Sequence, residues 1–231
     1  MIDTAFVLAA GRGQRLGEMT QQCPKPLLPV ADSTIIERLL VQLSAAGVTN
    51  ILMNVSYLWE QIVERLKDGR NVGCSIDYSL EAERLETAGG IIAGINRLPE
   101  QFLVINADVV TDFPFSRLKK HCLKPGLDGH LVFVPNPPIN PRGDYALLNE
   151  TVILGGDSEE THTFSGISIL SQSFFAGVTP GPRPLSQLFQ AKIAQGKLTG
   201  ELYSGMWHDV GSVEGLVKAR ASVEKVKGTA E

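Results

Sequence analysis

The stretch LAAGRGQRLGEMTQQCPKPLLPV, residues 8–30, decides how the rest of the chain is read. An apolar run from Ala5 to Ala10 ends at Gly11, which reads as a buried strand feeding a glycine-rich turn. Such a turn lets successive backbone N–H groups converge on an anion. Gly11-Arg12-Gly13 lacks the third glycine of a dinucleotide fingerprint and is not followed by the GK[ST] of a P-loop. Taken alone, the glycines equally fit a turn that needs positive φ. The cations add to the functional reading. Arg12 and Arg15 supply two guanidiniums beside the turn, and Lys25 stands between Pro24 and Pro26. Fixed proline backbone aims the ammonium at little entropic cost, and this set of cations suits a polyphosphate better than a lone carboxylate.

From there the chain alternates. Ile36, Leu39, Leu40 and Leu43 repeat at helical spacing behind a capping Ser33, with Glu37 in the first turn and Gly47 as the stop. TNILMNVSY, CSIDYSL and QFLVINADVV read as strands, with helices predicted over WEQIVERLKDG and AGGIIAGINRL. This β-α-β-α order implies a mostly parallel sheet covered on both faces. After residue 125 come HLVFVP, a proline-rich loop, two short strands around Asn149 and Glu150, and THTFSGISIL. A helix near 184–195, the strand KLTGELYSG and a polar helix from about Ser212 complete the chain. The second half is expected to be an antiparallel extension of the same sheet. One domain is expected over residues 1–231, with a first half to residue 125 and a second half beyond it.

Composition narrows the field. The 231 residues are 43% hydrophobic and 20% charged, enough for one substantial core. A net charge of −4 with no basic run argues against nucleic acid as a partner. Cys23, Cys74 and Cys122 make neither a CxxC nor a metal spacing, and read as free thiols. The four histidines at 121, 130, 162 and 208 do not pair at ligand spacing. The N-terminal apolar stretch is too short for a signal peptide or membrane span, so a cytoplasmic protein with no membrane partner is expected. Nothing in the sequence indicates an oligomeric state.

The opening segment resembles the N-terminal signature of the sugar-1-phosphate nucleotidyltransferases, GxGxRxxPLT followed by PKP. Gly11, Gly13, Arg15, Thr20 and Pro24-Lys25-Pro26 match it in register, while Gly17, Glu18 and Met19 depart from it. NADVVTD at 106–112 resembles the family's G-D-V segment, with Ala107 where glycine is usual, and WHDVG at 207–211 resembles its late W-x-D-[VT]-G. ETAGG, RGDY and FSGIS extend the likeness along the chain. The resemblance implies a Rossmann-like, GT-A-like α/β fold with a central mixed, mostly parallel sheet flanked by helices. It implies a Mg²⁺-dependent uridylyltransferase that joins UTP to a sugar 1-phosphate, N-acetylmuramate α-1-phosphate by its finer features, and releases pyrophosphate. Another hexose 1-phosphate or triphosphate, or a non-catalytic nucleotide-binding regulator, is the alternative. No hexapeptide β-helix repeat follows.

The resemblance assigns Leu8, Ala9, Ala10, Gly11, Gly13 and Gly89 to the nucleotide, with Arg15 and Lys25 on its phosphates as catalytic groups. It assigns Asp108 and Asp209 to the metal. Asp108 follows the buried run Phe102 to Ile105 and so should emerge at the carboxyl end of a strand, where open parallel sheets bind ligands. Singly, each aspartate fits a turn or helix cap equally well. Asn54, Asp144 and Ser165 are the sugar candidates, and Arg142 is offered as the cation for a sugar carboxylate.

Overall fold

The structure is a computed structural model that describes residues 1–156 and 159–228. The first half contributes the strands β1 (Thr4–Leu8), β2 (Pro29–Val30), β3 (Ser33–Thr34), β4 (Asn50–Val55), β5 (Ser75–Leu80), β6 (Gln101–Asn106) and β7 (Val109–Thr111). Its helices are α1 (Ile35–Ala45), α2 (Trp59–Leu66), α3 (Glu86–Gly94) and α4 (Ser116–Lys120). The second half adds β8 (Gly129–Val134), β9 (Tyr145–Leu148), β10 (Thr151–Ile153) and β11 (Thr161–Ser171), then α5 (Leu185–Ala194), β12 (Leu198–Leu202), β13 (Trp207–Asp209) and α6 (Val213–Gly228). Nine strands form one sheet in the order β5-β4-β1-β6-β11-β8-β12-β10-β9.

The expected Rossmann-like α/β architecture is what the chain adopts. β5, β4, β1 and β6 are parallel, and β11 runs antiparallel to β6 and β8. The second half is not purely antiparallel, because α5 returns the chain so that β12 lies parallel to β8. The start of β11 also pairs with β9, which bends this end of the sheet back onto itself.

Alternation along the strands builds a core on each face. In β1, Ala5 and Val7 pack beneath α1 and α2, while Phe6 points to the face covered by α3 and α5. In β6, Leu103 and Ile105 share the first face and Phe102 and Val104 the second. Both faces are therefore buried, as the continuous apolar runs require. A third cluster joins α6 to Leu16, Val30, Ile35 and Val110. No helix among the described residues is long and apolar enough to cross a membrane.

Two local readings change. The cap of α1 is Thr34, not Ser33: Glu37 N–H donates to Thr34 Oγ1 (3.3 Å) and Thr34 N–H to Glu37 Oε2 (3.1 Å), a reciprocal capping box. Residues 101–110 do not form one strand. The chain leaves the main sheet after Asn106, turns through Ala107 and Asp108, and continues as β7, which pairs only with β13.

The fold also brings together two of the histidines read as scattered. His121 and His130 lie with ring centroids 4.2 Å apart and planes tilted by 32°, and Glu201 lies 3.8 Å from His130 Nε2. Burial lowers the His121 pKa from its ordinary 6.5, and His130 lowers it further, outweighing Glu201 and Glu150. A histidine held below its unfolded value is protonated first in the unfolded chain. The stability it contributes is therefore full above pH 6.5 and is lost as pH falls from there through its folded value. Chemical denaturation should show stability declining with acid from pH 6.5, with a shallower decline in His121→Gln. An unchanged slope in that variant would refute the assignment.

Candidate active site

The chain runs from β1 outward to β4 and β5, then crosses to β6 on the other side of β1. Strand order thus reverses between β1 and β6, and a crevice opens at their carboxyl ends. A cleft of about 750 Å³ occupies this place. Leu8, Ala9, Ala10, Gly11, Gly13 and Arg15 line one side of it and Lys25 and Asp108 another.

Local geometry explains the loop. Gly13 sits at φ +65°, and a methyl there would meet Thr20 Cγ2 at 3.0 Å and Lys25 Cβ at 3.1 Å. Only glycine lets the lysine stem pass so close. Thr20 Oγ1 donates to the Gly13 carbonyl (3.0 Å) and ties the loop's two ends together. Gly17, a departure from the family signature, adopts φ 58° and ψ −128°, where side-chain-bearing residues are strained.

Lys25 is 8% exposed, and its Nζ is hydrogen-bonded to Asp108 Oδ2. Asp108 Oδ1 is buried and has no hydrogen-bond partner among the described residues. The β7–β13 ladder sets Asp209 opposite Val109, and Val210 N–H donates to the Asp108 carbonyl (2.9 Å). Two carboxylates far apart in sequence are thereby juxtaposed. Burial raises the Asp209 pKa and the Asp108 carboxylate raises it further, while Lys25 and Arg15 oppose the shift. A methyl on Gly211 would lie 2.6 Å from Arg15 Nη2 and 2.8 Å from Asp209 Oδ2, so the glycine makes room for both.

A second pocket of about 310 Å³ adjoins the first. Arg15 and Asp108 line both, and Asp209, Trp207, Phe164 and Ser165 line the second. The register shift in β11 between Phe164 and Ile167 shapes this wall. At the bulge Gly166 takes φ +79° against Asn106, and the Ser165 carbonyl accepts from Trp207 Nε1–H (2.9 Å).

The structure moves four of the residues singled out in the sequence. Gly89 does not line the cleft: its N–H donates to the Arg183 carbonyl (3.3 Å), and a methyl there would meet the Gly181 carbonyl at 2.5 Å. The segment before α5 covers it. Asn54 is buried behind the Ala9 wall of the large cleft and lies outside the second pocket. Its Oδ1 accepts from Ala9 N–H (2.8 Å) and its Nδ2 donates to Glu81 Oε1 (2.7 Å). Asp144 also lies outside the pocket lining and acts on its neighbours, accepting from Asn140 Nδ2 (3.1 Å) and Phe164 N–H (2.8 Å). Arg142 is exposed and does not line the pocket. Ser165 does line it, but its hydroxyl is committed to Val132 O (2.7 Å) and Ile167 N–H (3.2 Å).

Sequence reading missed Glu81, which is 6% exposed and lines the large cleft beside Asn54. It also missed Tyr57, whose ring carries the Arg12 guanidinium 4.9 Å from its centroid. Both follow strand ends, the one positional signal available. Asn54→Ala leaves Ala9 N–H and Glu81 without their buried partner. It should cost about 1–3 kcal/mol of stability and weaken binding of the ligand that occupies the large cleft. Urea denaturation and ligand titration check this, and unchanged values in both would rule out a bracing role.

Backbone amides, three cations and two adjoining carboxylates at a strand-order switch form a site for phosphate chemistry. The chain belongs to the nucleotidyl transferase family, whose profile matches residues 4–145. It is 39% identical to the N-acetylmuramate alpha-1-phosphate uridylyltransferase of Neisseria meningitidis serogroup B, over 94% of this chain and 96% of that protein. It is 30% identical to the mannose-1-phosphate guanylyltransferase catalytic subunit beta of Drosophila pseudoobscura pseudoobscura, over 90% of this chain but 58% of that protein. In fold it is similar to HddC from Yersinia pseudotuberculosis complexed with GMP-PN, with a TM-score of 0.81 at 22% identity, covering 96% and 100% of the two chains.

Proposed function

We propose that the enzyme joins UTP to N-acetylmuramate α-1-phosphate, forming UDP-N-acetylmuramate and pyrophosphate in peptidoglycan recycling. The observation that carries this reading is the meeting of two pockets at Arg15 and Asp108. One is lined by phosphate-binding backbone, and the other is large enough for a sugar. The 39% identity to the Neisseria uridylyltransferase supports the substrates.

A phosphate oxygen of the sugar 1-phosphate attacks the α-phosphorus of UTP, and pyrophosphate departs opposite. The nucleophile already carries negative charge, so no covalent enzyme intermediate is needed. The protein aligns two mutually repelling anions and neutralises charge as it develops. Backbone amides at Gly11 and Gly13, with Arg15, hold the β- and γ-phosphates, and Lys25 meets the α-phosphate. Glu81 faces the base. Its Oε1 accepts from Asn54, and the carboxylate keeps acceptor sites for the imide N–H of uracil.

Asp108 and Asp209 fit a divalent cation. The unpartnered Asp108 Oδ1 and the disfavoured charge on Asp209 are both relieved by a hard cation that takes few carboxylates and completes its shell with water and phosphate oxygens. Mg²⁺ bound there supplies charge neutralisation for the phosphates.

Pyrophosphate release tests the reading, with UTP, CTP, GTP, ATP and dTTP each offered with N-acetylmuramate, N-acetylglucosamine, glucose and mannose 1-phosphates. Release should be strongest with UTP and the muramate sugar. Another best pair would replace the substrates and keep the mechanism. Silence across the panel with nucleotide still bound would favour a regulatory binder.

A further inference from the structure

We infer that Asn140 is a specificity-determining residue that reads the 2-acetamido group of the sugar, through a side-chain amide whose orientation is preset by a hydrogen-bond relay. The inference rests on placing the sugar in the second pocket. Asn140 lines that pocket together with Pro137 and Ile139 from the same loop.

The relay begins at a backbone carbonyl, which can only accept. Asn136 Nδ2 donates to the Thr161 carbonyl (2.9 Å), so Asn136 Oδ1 is turned toward Thr163. Thr163 Oγ1 donates its one proton to that oxygen (2.9 Å) and can then only accept on its other side. Asn140 Nδ2 supplies the donor at 3.2 Å. The same Nδ2 donates to Asp144 Oδ1 (3.1 Å), a carboxylate that is acceptor-only when ionised. Turning the amide over would set Asn140 Oδ1 against the Asp144 carboxylate and against a hydroxyl with no proton left. The hydrogen-bond logic therefore assigns the amide in one sense.

That sense leaves Asn140 Oδ1 as an acceptor with no partner among the described residues, and it is not one of the buried unpaired atoms. Beside it stands Ile139, 64% exposed, and then Pro137. A fixed acceptor next to an uncovered apolar surface matches a group with one N–H and one methyl. A 2-acetamido substituent offers both. A 2-hydroxyl rotates freely and can give its one proton to water instead of the acceptor, and it leaves the apolar surface wet. An ionised lactyl group has no hydrogen to give. Asp144 is then a positioning residue, since it holds Asn140 and the Phe164 N–H together.

The test compares kcat/KM for N-acetylglucosamine 1-phosphate and glucose 1-phosphate, using whichever triphosphate supports turnover, in wild type, Asn140→Ala and Asp144→Asn. Wild type should favour the acetamido sugar by about 10-fold to 100-fold, the range a missing small group commands. Asn140→Ala should reduce that ratio to about threefold or less by raising KM for the acetamido sugar far more than for glucose 1-phosphate, with nucleotide affinity unchanged. Asp144→Asn, which lets the amide turn over, should give an intermediate ratio. A ratio preserved in Asn140→Ala, or an equal loss with both sugars, would overturn the inference. If no triphosphate supports turnover, the proposed function fails. The inference is then read separately by calorimetric binding of the two sugar 1-phosphates, where a tenfold preference that Asn140→Ala abolishes supports it and equal affinities overturn it.

Discussion

Lys25→Met is expected to lower turnover by about 10²-fold to 10³-fold, the range for removing one preorganised charge stabiliser, while the protein stays folded. Methionine keeps most of the stem that passes Gly13 and removes only the ammonium. In the resting site that ammonium balances Asp108. In the proposed reaction it faces the α-phosphate, whose charge changes most as pyrophosphate leaves. The loss should therefore appear in kcat more than in the nucleotide KM. Steady-state kinetics with circular dichroism as the folding control measures this. A variant with near-normal kcat would remove Lys25 from the chemistry.

Asp209→Asn should cost a comparable factor in turnover and raise the Mg²⁺ concentration needed for half-maximal rate, yet it should not cost stability. The fold raises the Asp209 pKa, through burial first and the Asp108 charge second. A carboxyl held above its unfolded value binds its proton more tightly when folded, so its ionisation at neutral pH opposes folding. The neutral amide removes that opposition. In metal-free buffer the melting temperature of Asp209→Asn should equal or exceed that of wild type, a trade of stability for activity. A marked drop in melting temperature would show that Asp209 is a structural group instead.

What could be read in advance was what lay close together in the chain. The path from Leu8 through Gly13 to Lys25 carries its own logic, in an apolar strand, positive-φ glycines and proline-fixed backbone. Asp108 was visible because an apolar run stops there. Asp209 was not visible on physical grounds, since its partner strand β7 is far away and the ladder between them is short. Gly89 is assigned to the nucleotide by resemblance, and nothing near it in the chain announces the segment at Gly181–Arg183 that packs over it. The Asn54–Glu81 bond spans two strand ends, and a polar residue closing an apolar run looks the same whether it faces a ligand or braces a loop. Thr34 displaced Ser33 as a cap because the choice between adjacent hydroxyls depends on backbone direction, which β3 sets.

The two pockets share only Arg15 and Asp108 among their lining residues. The other lining residues each belong to one pocket, mainly from the first half of the chain for the large cleft and mainly from the loop after β8, the β11 bulge and β13 for the small one. Selection or engineering can therefore rewrite either partner's recognition without touching the other's. Exchanging the 135–144 loop and the β11 bulge between relatives should transfer sugar preference while base preference stays with the host chain.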